Sequence, residues 1–403
     1  MNILWGIAGM LVVLGIAFLM STDRKAIRLR PILVGLAIQF SFAFFVLKWP
    51  MGRAVLQWFS SQVEKGIGYA DQGIRFLFGP LLEGHQAPVF ALQVLPVIIF
   101  FASLIGVLYY LGIMQWIIQI LGGTISWLMG TSKVESLTAV ATVFLGQSES
   151  PILIRPYLTR LTSSELFAVM TGGFTSVAGS VLVGYSLLGV PLHYLLAASI
   201  MAAPAGLVMA KIVMPETETP LADEDIRMAK DTESVNVIDA AARGAIDGLK
   251  LALNVGALLL AFIGLIALIN GILGGIGNWV GVPGLSMQKV LGYLFAPIAF
   301  VVGVPWSEAI QAGGYIGQKL ILNEFVAYTA FGPQIPNLSE KTVAIVTFAL
   351  CGFANLSSIA IQIGVIGSLA PNRRSDVASF GLRAMIAGMM GSLLSAAMAG
   401  MLV

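Results

Sequence analysis

Eight apolar stretches, most of them near the roughly 20 residues that cross a bilayer as one helix, decide what this chain can fold into. They fall at about residues 2–20, 31–49, 89–114, 166–190, 192–213, 249–275, 342–369 and 377–402. Charged residues make up only 10% of the chain and hydrophobic ones 58%, whereas a soluble domain carries about a quarter charged residues. The chain therefore reads as an all-α, multi-pass protein of the cell membrane, with the bilayer as its main partner.

The first stretch is followed by Asp23, Arg24, Lys25, Arg28 and Arg30. A signal peptide carries its positive charge ahead of the apolar core, so this is a first span with its N-terminus outside and a basic turn in the cytoplasm. Residues 51–88 mix Arg53, Trp58, Glu64, Lys65, Asp71 and Arg75 with apolar residues. They are too polar to span and read as an amphipathic helix lying on the outer interface. His85 falls in its exit loop. Residues 115–133, with Trp116 and Trp127, read as interfacial on the cytoplasmic side. Residues 214–248 are acidic and form a cytoplasmic linker that runs into an amphipathic helix and divides the chain into halves.

Several function classes drop out. A net charge of +2 with no basic stripe leaves nothing to neutralise phosphates, so nucleic acid is not an expected partner. One cysteine, Cys351, builds neither a disulfide framework nor a Cys-based metal site. Two histidines, His85 and His193, are too few for a His-rich metal centre.

Two polar knots interrupt this apolar chain. One is Gly146-Gln147-Ser148-Glu149-Ser150-Pro151 and the other Asn323-Glu324-Phe325-Val326-Ala327-Tyr328. An ionisable residue at membrane depth is costly and marks a functional site by default. The apolar stretch before Glu149, from Val134 to Leu145, is about half a span, and Arg155 and Arg160 soon follow Pro151. The pieces around Glu324 are also short, with Pro305, Gly313-Gly314 and Lys319 ahead of it. Each knot is therefore the tip of a re-entrant hairpin, a short helix, a polar break and a second short helix, buried in protein. The count is about eight spans plus two hairpins.

Each hairpin is followed by a helix with a polar interruption, Thr175-Ser176-Val177-Ala178-Gly179-Ser180 in one half and Cys351-Gly352-Phe353-Ala354-Asn355-Leu356-Ser357-Ser358 in the other. Small residues also serve plain helix packing, so the first interruption by itself does not decide the matter. The separation from Glu149 to Ser180 equals that from Glu324 to Asn355, however. Broken helices at matching positions in two halves point to a transporter's midplane site and to an inverted repeat. The first hairpin is expected to enter from the cytoplasm and the second from outside.

These residues resemble the concentrative nucleoside transporters. The resemblance rests on Gly146-Gln147-Ser148-Glu149, Ser176-Val177-Ala178-Gly179-Ser180, Gly303-Val304-Pro305 with Glu308-Ala309 and Lys319, Asn323 to Tyr328, and Gly352 to Ser358, in order over nearly the whole chain. It implies a homotrimer, with a scaffold from residues 1–114 and 249–285. A transport domain would form from residues 115–213 and 286–403, with 214–248 as the linker. It further implies that Gln147, Ser148 and Glu149 face a nucleobase with Val181 and Phe353 packed nearby, and that Glu324, Asn355 and Ser358 take ribose hydroxyls. Such a site needs no cofactor beyond a coupling ion.

One position departs from the family pattern. Sodium-coupled members carry Asn where this chain has Thr142, five residues before Gln147, while Ser176 is retained. Thr142 and Ser176 are the coupling-ion residues if the ion is sodium. Glu149 and Glu324 are the candidates if it is a proton, since burial disfavours a carboxyl's charged form. This reading favours the proton. Purine and pyrimidine nucleosides are not distinguished.

Two other classes share part of this pattern. Gly146-Gln147-Ser148-Glu149-Ser150 resembles a Gly-x-Ser-x-Gly nucleophile elbow without its last glycine, but both histidines lie near membrane edges, so no base is expected at Ser148. A hairpin-containing carrier for amino acids or dicarboxylates is the stronger rival. An anionic solute calls for Arg or Lys at the site, and the knots offer glutamates with Lys319 the nearest cation.

Overall fold

In the computed structural model residues 2–82, 89–220, 226 and 234–403 are described, and among them the chain is helical with no strand. His85 and most of the acidic residues of the linker lie outside the described residues. The chain begins with α1 (Asn2–Leu19) and α2 (Leu29–Ala43), the latter prolonged by a wide turn at Phe44–Lys48. Next comes α3 (Pro50–Leu82), which buries Gly52, Leu56, Ser60, Ala70 and Ile74 and exposes Trp58, Phe59, Tyr69 and Phe76. Buried positions four apart make one stripe, so this is the expected amphipathic helix. A wide turn at Phe90–Val94 leads into α4 (Leu95–Tyr110), and α5 (Ile113–Met129) follows.

The first half continues with α6 (Lys133–Leu145), α7 (Ser150–Leu153), α8 (Ser163–Thr175), α9 (Gly179–Ser186) and α10 (Leu192–Val213). The second arm expected after Pro151 is only the single turn of α7, followed by a tight turn at Leu158–Arg160. Both α6 and α8 start with a reciprocal capping box, Ser132 with Glu135 and Thr162 with Glu165. This pattern satisfies two otherwise unpaired backbone donors at a helix start. The second half holds α11 (Val237–Trp279), α12 (Met287–Val301), α13 (Trp306–Ile321), α14 (Glu324–Phe331), α15 (Glu340–Leu350), α16 (Leu356–Leu369) and α17 (Arg374–Leu402). The amphipathic helix expected to close the linker at 248 and the central helix expected from 249 are one unbroken helix, α11. No Gly or Pro in that stretch demands a break: Gly244 and Gly248 instead face α4.

Among the described residues, six helical segments are long and apolar enough to cross a bilayer: Leu29–Lys48, Phe90–Tyr110, Ser163–Ser186, Leu192–Val213, Val237–Trp279 and Pro371–Leu402. The remaining two expected spans are α1, slightly short at Ile3–Leu19, and the pair α15–α16, interrupted between its halves. Burial sorts the spans into two groups. Within the apolar stretches of Ser163–Ser186 and Pro371–Leu402 94% of residues are buried, against 17% in that of Val237–Trp279 and 22% in that of Phe90–Tyr110. The exposed pair, α4 and α11, pack on each other through small residues. A Cβ on Gly244 would lie 2.7 Å from the Ala102 carbonyl oxygen, and one on Gly248 would lie 2.8 Å from Ile99 Cα. Close backbone approach through Gly-x-x-x-Gly is a membrane packing device.

The two hairpins enter from opposite ends of the bundle. The basic turn after α1 sits at one end, where Thr22 N donates to Val213 O and Arg30 Nη2 donates to Trp127 O. The first hairpin starts beside it, with Gly130 against the Arg30 side chain. At the other end Trp5 Nε1 donates to Phe300 O at 2.8 Å, and the Phe300 ring lies 5.5 Å from that of Trp306, where α13 begins. The inverted arrangement read from the broken-helix pattern is thus present in the packing.

Each hairpin is tied down at its base by charge. In the second, Glu308 accepts from Ser339 N and Ser339 Oγ, the cap of α15. In the first, the buried Lys211 ammonium lies 2.6 Å from Glu135 and 3.9 Å from Glu216, and donates to Ser164 Oγ. Removing one partner of a buried ion pair costs about 3–5 kcal/mol because the other charge stays buried. Lys211→Met is therefore expected to lower the unfolding temperature of the purified protein markedly. An unchanged midpoint would show that these carboxylates are held by other means.

Candidate functional site

The two hairpin tips and the two helix breaks meet in the middle of the bundle. Between α8 and α9 the chain is extended at Ser176 and Ala178, and between α15 and α16 at Asn355. The breaks touch: Phe353 N donates to Ser176 O at 3.2 Å. A Cβ on Gly352 would lie 2.7 Å from Thr175 O, so only glycine permits this approach. The first tip turns at Gly146, whose φ of +82° favours glycine, and a Cβ there would press on Ala178. Four half-helix ends thus converge, which is the arrangement that exposes backbone groups and dipole ends to a bound solute.

At the second tip, Asn323 and Asn355 each cap a helix. Asn323 Oδ1 accepts from Val326 N, and Asn355 Oδ1 accepts from Ser358 N, both at 2.9 Å. With its oxygen committed, Asn355 turns its Nδ2 to Glu324 Oε2 at 3.1 Å. The other carboxylate oxygen accepts from Tyr185 Oη at 3.1 Å. The Tyr185 ring is itself wedged against Phe325 and Tyr328, at 4.6 and 4.5 Å. Glu324 is therefore buried and held in one orientation, and each of its oxygens keeps acceptor capacity for a further donor.

At the first tip, Gln147 Nε2 donates to Ser358 Oγ at 2.9 Å, and Gln147 Oε1 accepts from Gln362 Nε2 at 3.3 Å. Gln362 also donates to Met170 O at 3.0 Å, which fixes it to α8. Ser358 and Gln362 are four apart on α16 and so share a face. The structure brings Gln147, Glu324, Asn355 and Ser358 into one hydrogen-bonded chain. Ser148 and Glu149 are exposed at the tip, Val181 is buried in the first turn of α9, and Phe353 is half-buried in the second break. Ser358, expected with Glu324, touches Gln147 of the other tip.

Thr142 and Ser176 are fully buried, and each hydroxyl donates to a carbonyl of its own helix, Thr142 to Ala139 O and Ser176 to Gly172 O. Their oxygens keep lone pairs and remain available as neutral ligands. The site also holds residues that sequence reading passed over. Tyr185 and Gln362 lie inside apolar helices where nothing local singles them out, and only the partner across the bundle reveals them.

Comparison with known proteins decides the family. Residues 8–81 match the N-terminal and residues 194–400 the C-terminal region described as Na+ dependent nucleoside transporter, and residues 91–192 match a region described as nucleoside recognition. The chain belongs to the concentrative nucleoside transporter family. It is 57% identical, over the full length of both chains, to an uncharacterized transporter of Bacillus subtilis. It is 46% identical to a nucleoside permease of Helicobacter pylori, covering 99% of this chain and 98% of that one. Inward-facing, substrate-bound CNTnw superposes with a TM-score of 0.94 at 50% identity, covering 100% of this chain and 98% of that one. An outward-facing variant of CNTnw superposes with a TM-score of 0.97 at the same identity and coverage. This is a family of transporters rather than enzymes, and its member here is a multi-pass protein of the cell membrane.

Proposed function

We propose that this family member carries nucleosides across the membrane by alternating access, driven by a coupled cation. One observation carries the reading: a buried, pre-oriented carboxylate and a buried amide, one from each hairpin, joined through the break of α15–α16. A nucleoside is neutral and rich in donors and acceptors. A dry site can hold it only by replacing its water hydrogen bonds one for one. Glu324 and Asn355, with Ser358, take the ribose hydroxyls, while Gln147, Ser148 and Glu149 face the base beside Val181 and Phe353. Their opposite ends of the site match the two ends of a nucleoside. The mobile unit is the buried block of hairpins and broken helices. The exposed pair α4 and α11 is the scaffold against which it moves, and the working assembly is a trimer.

The coupling ion in this reading is the proton. The matched terminal regions are described as Na+ dependent, but at position 142, between those two regions, the chain offers a short hydroxyl in place of an amide. Uptake of labelled uridine and adenosine into proteoliposomes, with proton and sodium gradients imposed separately, tests both statements. Accumulation on the proton gradient alone is expected. Accumulation on sodium alone would return the coupling to Thr142 and Ser176, and no movement of either nucleoside would end the carrier reading.

Gln362 is placed to steer Gln147, so Gln362→Ala is expected to weaken uridine binding roughly threefold to tenfold, the range of one neutral hydrogen bond. Equal affinity by equilibrium binding would detach Gln362 from the site.

A further inference from the structure

The interfacial helix α5 carries no charged residue along its whole length. One face is seated on the protein: a Cβ on Gly122 would lie 2.9 Å from Leu137 Cα of α6, and Met114, Ile118 and Met129 are buried. The other face shows Trp116, Ile120 and Trp127, exposed at 65%, 47% and 75%. Spacings of four and seven residues put these three on one stripe of the helix. Such a stripe, uncharged and closed at each end by a tryptophan, is matched to lipid at headgroup level. The helix therefore lies along the membrane boundary, at the end of the bundle that the basic turn after α1 assigns to the cytoplasm.

At the far end of this stripe the surface turns basic. A groove of about 560 Å³ opens between the start of α2, the last turn of α5 and the start of α6, lined by Arg30, Ser126, Trp127, Thr131 and Lys133. The chain turns there at Gly130, with φ of +70°, and a Cβ on it would sit 3.2 Å from the Arg30 guanidinium carbon. Arg30 Nε donates to Leu128 O at 3.2 Å and Nη2 to Trp127 O at 2.7 Å. Both bonds fix the guanidinium at the negative end of α5. A guanidinium has five N–H donors, so three remain for a ligand, on an exposed side chain. The hydroxyls of Ser126 and Thr131 are engaged inside the turn, with Thr131 O and Ser136 Oγ. No carboxylate lines the groove among the described residues. Glu135 and Glu216 face a separate cavity across the turn, together with Lys211 and Arg28.

We propose that this groove binds the headgroup of an anionic phospholipid of the cytoplasmic leaflet, its phosphate between Arg30 and Lys133 and its acyl chains along Trp116, Ile120 and Trp127. Charge complementarity and depth argue for that occupant. Two cations with no carboxylate call for an anion, and basic pockets beside spanning helices on the cytoplasmic side take lipid headgroups. Arg30 is the second residue of the span Leu29–Lys48, so the groove lies where hydrocarbon gives way to headgroups. A soluble phosphate uses only the groove, whereas a lipid uses the groove and the apolar stripe that runs up to it. The bound headgroup bridges α2, α5 and the first residue of α6, at the base of the first hairpin.

Tryptophan quenching of the full-length protein in nanodiscs tests this. Dibrominated phosphatidylglycerol or dibrominated phosphatidylcholine is titrated into unbrominated phosphatidylcholine, and the Trp127 signal is the difference between wild type and Trp127→Phe. Half quenching is expected at a fraction of the anionic lipid at least about tenfold below that of the zwitterionic one, from two basic residues at the headgroup. Lys133→Gln is expected to raise the anionic fraction needed roughly fivefold, the contribution of one such residue. Arg30→Gln is expected to do the same, but it also removes two hydrogen bonds from the end of α5. Lys133→Gln leaves both in place and so separates binding from folding. Equal half quenching by the two lipids would overturn the proposal, as would an unchanged titration in Lys133→Gln. Glycerol 3-phosphate in solution is expected to leave the titration unaltered. If it restores the Trp127 fluorescence, the groove takes soluble phosphate esters and the lipid assignment fails.

Discussion

Glu324→Gln is expected to weaken uridine binding roughly a hundredfold and to erase the preference for uridine over 2′,3′-dideoxyuridine. The reason lies in how the carboxylate is held. Asn355 Oδ1 is committed to capping α16, so its Nδ2 can only donate, and it donates to Glu324. A glutamine must turn its oxygen toward Asn355, and its NH2 then faces Tyr185 and the substrate. That NH2 accepts nothing from a ribose hydroxyl. Hydrogen bonds to a charged group contribute about 1.5–3 kcal/mol each, so losing one and reducing another to a neutral bond is enough for the expected effect. A site built to pair a hydroxyl discriminates strongly against the analogue lacking it. Binding of both nucleosides to wild-type and variant protein checks the point. A variant that binds uridine as tightly as wild type would move the ribose contacts elsewhere.

Gly352→Ala is expected to do comparable damage by a different route. The added Cβ would sit 2.7 Å from Thr175 O and 2.9 Å from Phe174 O, and Ser392 Oγ closes the third side at 2.9 Å. Two of the three atoms are backbone carbonyls at the end of α8 and cannot swing away. Overpacking a tight interior costs about 1–3 kcal/mol, and here the strain falls on the crossing that aligns Phe353 N with Ser176 O. The expected result is a lowered unfolding temperature together with loss of most uridine uptake. Gly364→Ala on α16 is the control. Nothing lies within 4 Å of a Cβ there, and alanine is favoured over glycine inside a helix by about 0.5–1 kcal/mol. If both alanine variants behave alike, the crossing of the breaks is not a critical contact.

The helices and their interruptions were legible in the sequence because membrane insertion writes them in large letters. An apolar run of span length has few alternatives in lipid, and a glutamate in such a run must be functional or paired. Gly146-Gln147-Ser148-Glu149 and Asn323-Glu324 stood out for that reason, as did the two breaks. The tail of the first hairpin was less legible. The residues after Pro151 form a single turn rather than an arm, since four residues are enough when the following chain is packed on its neighbours. The linker helix and the central helix were separated in the sequence by composition alone, and the backbone runs through the boundary without interruption.

What the sequence by itself determined was the class of structure, the position of each tip and break, and the opposed entry of the two hairpins. These follow from hydropathy, the placement of Arg and Lys, and turn chemistry, all of which act locally along the chain. Only the tertiary structure decided which polar groups meet. Tyr185 reaches Glu324 and Gln362 reaches Gln147 across gaps of more than a hundred residues. Lys211 meets Glu135 in the same way, between helices distant in the chain. Each is a single polar residue whose local setting is ordinary helix, and its role exists only through a partner on another element. A buried polar group must find such a partner or pay for lacking one, and which partner it finds is a property of the packed bundle.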